Sequence, residues 1–93
     1  MEISVIADGS AVVEKAGEPV RLGAHTYTTK IDIQADENNT GIIAVGGPDV
    51  DATSTGVFLN AGDFYSLEIS NLGNVFIDST VDGEGVRYTY YSR

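Results

Sequence analysis

A chain of 93 residues with fourteen acidic and five basic side chains and no cysteine is limited to one small domain that no disulfide staples. Its net charge of −9 leaves too few cations to displace counterions from nucleic-acid phosphates or to hold an anionic membrane surface. At 9.8 kDa such a chain buries only about 64% of its surface on folding, a margin thin enough to favour oligomerisation or docking on a larger body.

The opening "MEISVIADGSAVV" carries Glu2 and Asp8 with only a brief apolar run between them. It lacks the basic start and apolar core of a signal peptide, so the expectation is synthesis in the cytoplasm without signal-driven export. Residues 1–23 then read as short pieces, "EISVIA", "AVVEK" and "PVRL", broken by "DGS" and "AGEP". They fit either edge strands or an N-terminal arm lying on a neighbour.

From residue 30 onward a period of two dominates, as in half-buried strands. In "KIDIQA", Ile31, Ile33 and Ala35 oppose Lys30, Asp32 and Gln34. "GIIAV" and "GVFLN" are continuous apolar runs bounded by glycine, expected of strands covered on both faces. "FYSLEIS" turns Tyr65, Leu67 and Ile69 one way and Phe64, Ser66 and Glu68 the other. "NVFIDS" sets Val75 and Ile77 against Phe76 and Asp78, and "GVRYTYYS" sets Val86, Tyr88 and Tyr90 against Arg87, Thr89 and Tyr91. Turn residues punctuate these runs at "DENNTG", "GGPDVDATSTG", "NAGD", "NLGN" and "DGEG". No stretch has helical periodicity. About eight short strands predict an all-β fold over residues 1–93, an antiparallel β-sandwich or a jelly-roll-like barrel. Val45, Val57 and Leu59 are expected in its core and 48–55 on its surface.

Chemistry-bearing patterns are sparse. Gly46 and Gly47 precede Pro48 and Asp49, where a phosphate loop needs Lys and Ser or Thr, so a turn is expected there. "DVD" at 49–51 opens like a calcium loop, but Ser54 and Asn60 stand where that loop requires glycine and an acid. His25 is the one histidine and no serine near it sits on a nucleophile elbow. The reading is therefore of a non-enzyme with no catalytic, cofactor or metal site. Phe64 and Tyr91 face outward on their strands and are the candidate partner contacts.

The order of phrases from Thr29 on resembles small β-sandwich proteins of tailed-bacteriophage virions. One strand ends in the phrase Ala35, Asn39, Thr40 and Gly41, and a second ends in Val45, Gly46 and Gly47. Then come Gly56, Leu59, Ala61, Gly62 and Asp63, a strand with Leu67 and Ile69, the Asn71–Leu72 turn, and a closing strand at Gly83, Gly85 and Val86. The likeness spans roughly 65 of the 93 residues and rests on turn and core positions, so it speaks for fold more than for function. It implies a capsid decoration (cement) protein on the virion exterior, bound to the major capsid protein as a symmetric trimer. A tail or head-fibre accessory protein and a carbohydrate-binding module for host adsorption are the alternatives. Residues 1–23 have no counterpart in that likeness.

Overall fold

The computed structural model describes residues 3–93. Eight strands run in chain order: β1 (Val5–Val13), β2 (Val20–Arg21), β3 (Lys30–Ala35), β4 (Ile43–Gly46), β5 (Val57–Leu59), β6 (Phe64–Leu67), β7 (Phe76–Ser79) and β8 (Glu84–Ser92). A single 3₁₀ turn, Leu72–Asn74, precedes β7, capped by the Asn71 side chain, which accepts from Gly73 N–H. The strands form two four-stranded antiparallel sheets, ordered β1-β8-β3-β6 and β2-β7-β4-β5. The protein is a small antiparallel β-sandwich. Within it β1 pairs with β8, β2 with β7, β3 with β6 and β4 with β5, so the chain is one antiparallel ribbon of nested pairs. Rolling that ribbon brings β8 beside β3 and β7 beside β4. This strand order is the jelly roll.

The core is what the period of two demands. Ile31, Ile33 and Ala35 from one sheet meet Ile43, Val45 and Ile77 from the other, all with little or no exposure. Leu22, Leu72 and Val75 plug the end where the 3₁₀ turn sits, and Tyr65, Tyr88 and Tyr90 pack against the same cluster with their rings partly open. Burying each such aliphatic side chain stabilises the fold by about 1.5–3 kcal/mol.

Three local expectations are corrected. "DGS" at 8–10 makes no turn, because it lies in the middle of β1, which runs unbroken for nine residues as the edge of its sheet. Asp8 and Ser10 point to solvent, and Gly9 points inward under the Tyr88 hydroxyl, where a Cβ would lie 2.5 Å from that oxygen. Residues 5–13 and 20–21 are thus edge strands of the two sheets.

Residues 47–56 form more than a surface loop. They fold over the outer face of β4 and β7, and Val50 and Ala52 pack on Ala44 and Phe76 as a second small core. That cover explains why Ile43, Ala44 and Val45 are all buried, as the apolar run required. It also buries Asp78, which alternation alone would leave in solvent. The Asp78 carboxylate accepts from Ala52 N–H at 2.9 Å and from Gly17 N–H at 3.0 Å, tying two loops to the sheet.

"GVFLN" is not covered on both faces. β5 is a three-residue edge strand, and beyond it no further strand lies. Only its Leu59 is buried; Val57 is 38% exposed and Phe58 46%. Val57 therefore does not belong to the core.

Candidate partner-binding surface

Both candidate aromatic contacts lie on the outer face of the β1-β8-β3-β6 sheet, but they do not make one platform. Phe64 pairs with Gln34 at the start of β6 and is 70% exposed. Tyr91 pairs with Lys30, four residues back along β3, which separates the two by about 13 Å in the strand direction. Between them lies a polar cluster. Asp32 accepts from the Ser66 hydroxyl at 2.5 Å and from the Tyr91 hydroxyl at 2.9 Å, and Lys30 Nζ is 3.8 Å away. The Ser66 bond, seconded by Tyr91 and Lys30, holds the Asp32 carboxyl below the usual range. The same bond to Asp32 pushes the Tyr91 phenol up. Lys30 also sits 5.9 Å from the centre of the Tyr91 ring. Tyr91 is half-buried and spent on this cluster. Phe64 is the free aromatic, beside a shallow hollow of about 120 Å³ shared with Gln34, Arg87 and Thr89.

A concavity of about 710 Å³ opens between the 36–39 turn and the β1–β8 ribbon and is lined mostly by polar groups. Its carboxylates are engaged in folding. Glu84 accepts from Thr40 N–H at 2.7 Å, Thr40 Oγ1 at 2.8 Å and Gly41 N–H at 2.9 Å, and these bonds lower its pKa. Asp36 receives the Asn38 N–H, and Glu37 lies 3.6 Å from Arg87. The groove thus holds turns closed and offers no paired acid and nucleophile.

His25 lies in the loop before β3. Its Nε2 is 3.1 Å from an Arg21 guanidinium nitrogen, which can only donate, and its Nδ1 faces the Asn71 amide. Arg21 also donates to the Gly73 carbonyl and stacks over Phe76 at 4.9 Å. The cluster fastens the 22–28 loop to the 3₁₀ turn. Asp51 caps its own turn through Thr53 N–H at 2.8 Å and Thr53 Oγ1 at 2.6 Å, and the Thr53 bonds lower its pKa. Among the described residues no three of His, Asp or Glu are grouped to hold a metal ion, and no helix is long and apolar enough to cross a membrane.

Edge strands were one of the two readings of residues 1–23; what sequence reasoning missed is that one of them runs unbroken through "DGS" for nine residues. Ile3, Val5, Ile6 and Val12 are all exposed, half of the large apolar side chains that are among the described residues, and all lie on or beside β1. The signal was present in the unbroken alternation Val5, Ala7, Gly9, Ala11, Val13, masked by the turn-like "DGS" in its middle. No protein family, curated protein or solved structure matches the chain.

Proposed function

We propose that this chain is a structural virion protein, a capsid decoration (cement) protein that binds the major capsid protein on the outer face of a tailed-phage head. The observation that carries the reading is the state of its polar groups. The clustered carboxylates and the one histidine are spent on turns, loops and struts, while apolar side chains are left on strand edges and on one sheet face. A body of that kind works through its outside. The phrases that carry the phage likeness fall on turns and core positions of the sandwich, and Gly62, with φ of 83°, sits in the "NAGD" turn before β6. Jelly rolls recur in viral capsid and lectin domains, which is an analogy of fold and not of site.

The effect would be one of linkage. A ligand that binds only the assembled lattice stabilises it by mass action, without covalent chemistry. Mass spectrometry and cryo-electron microscopy of purified virions test this. The expected result is density for a small sandwich on the shell exterior, on the order of hundreds of copies per particle, since closed symmetry repeats every site. A handful of copies at the tail would instead favour the tail or head-fibre reading, and absence from the particle would reject both.

One observation favours the carbohydrate reading as a second choice: the exposed Phe64 ring beside a shallow, mainly apolar hollow whose rim carries Gln34 and Arg87. Glycan binding that is lost in Phe64→Ala would support it.

A further inference from the structure

The two sheets have four edges, and three are short: β2 has two residues, β5 three and β6 four. β1 is an edge of nine residues. Among the described residues no backbone group of Ile6 to Val12 bonds outside the β1–β8 ladder, so the far side of the strand offers a row of free N–H and C=O groups. Strands of this length are normally blunted by Lys, Pro or a bulge. Val5–Val13 contains no Lys, Arg or Pro, its one charge is Asp8, and it pairs with β8 without a break in register.

We infer that β1 pairs antiparallel with β1 of a second copy, joining two sandwiches through one continuous eight-stranded sheet. The occupant is identified by the strand's own sequence. A twofold axis normal to the sheet keeps each residue on its own face, and full overlap of Val5–Val13 puts the axis at Gly9, the middle residue. Each side chain then meets its mirror position about Gly9. On the outer face Ile6, 68% exposed, lies opposite Val12, 44% exposed, and Asp8 lies opposite Ser10. On the inner face Val5 meets Val13 and Ala7 meets Ala11. Apolar faces apolar throughout, and no carboxylate faces another.

Neighbouring registers lose this match. An axis at Asp8 sets two carboxylates face to face, and one at Ser10 sets Ile6 against Glu14. An axis at Ala11 sets Asp8 against Glu14. Like charges directly opposite are destabilising, whereas β-branched pairs stabilise a ladder. Maximal overlap and best pairing thus select the same register. The inference does not depend on the virion reading and holds whether or not the chain decorates a shell.

Light scattering on the purified chain at roughly 100 µM, a concentration that populates a weak pair by mass action, tests the inference. The expected mass is twice the 9.8 kDa of one chain. A single-chain mass, or the threefold mass that the phage likeness implies, would overturn it. The double variant Ile6→Lys/Val12→Lys should run as a monomer with an unchanged far-ultraviolet dichroism spectrum, while Phe64→Lys on the opposite edge should stay paired. The reverse outcome in either variant would move the contact away from β1. Because the chain has no cysteine, register is read with single thiols and a short bis-maleimide. A mixture of Ile6→Cys and Val12→Cys chains should cross-link, and neither alone should; linkage of either variant to itself overturns the Gly9 axis.

Discussion

The Asp78 carboxylate lies on the outward side of β7 yet is only 2% exposed, and it accepts two backbone N–H groups from loops far away in sequence. Removing it strands the buried Ala52 donor and releases the Gly17 loop from the sheet. Asp78→Ala is therefore expected to cost about 2–4 kcal/mol, read as a lower urea midpoint with unchanged slope. Its importance was not legible in the sequence, because alternation places it correctly on the outer face and nothing local announces the cover supplied by residues 47–56. The inward set Ile31, Ile33 and Ala35 was legible, since a half-buried strand writes its burial into its own period. Glu84 gives a pH prediction. Bonds from Thr40 and Gly41 hold its folded pKa below the ordinary 4.5. A lowered carboxylate contributes stability that is present above its unfolded pKa and lost as the pH falls through the folded value. Wild type should therefore exceed Glu84→Gln in urea midpoint at pH 6, with the gap closing as pH falls below about 4.5. A gap that stays constant down to pH 2 would refute this.

At the scale of elements, continuous apolar runs proved ambiguous and alternating ones did not. "GIIAV" and "GVFLN" look alike, but one became β4, roofed by a loop, and the other became the edge strand β5. Which run gains a roof depends on strand order, a property of the whole ribbon that neither run encodes. The difference is measurable. Ile33→Ala in β3 should cost about 2–5 kcal/mol, because a cavity is left that the core cannot refill, whereas Val57→Ala in β5 should cost under about 1 kcal/mol. The "DGS" misreading has a similar cause. Asp, Gly and Ser favour turns locally, but here Asp8 and Ser10 need only solvent, and Gly9 makes room for the Tyr88 ring. Tertiary space overrode local preference. Of the candidate surface, Phe64 was legible as an outward residue; the tying of Tyr91 to Asp32 was not, because it depends on β3 and β8, far apart in sequence, lying side by side.

For the whole molecule, charge sets the response to salt. Nine excess negative charges on a body of 38 × 24 × 18 Å repel one another in the folded state and repel a second copy. The unfolding temperature and the β1–β1 association should both rise as salt is raised from near zero to about 0.15 M, where the screening length is about 8 Å. Association that weakens with salt would point to a contact driven by opposite charges. The ribbon order has a kinetic consequence too. Of the eight strands β1 is made first, whereas β8, its one hydrogen-bonded neighbour among the described strands, is made last. At synthesis rates of about 5–20 residues per second, the first strand waits several seconds for its mate. Closing so long a loop is slow, and until then both sides of β1 lie open to other nascent chains. Yield on expression should accordingly depend more on chaperone supply and translation speed than the modest size of the chain suggests.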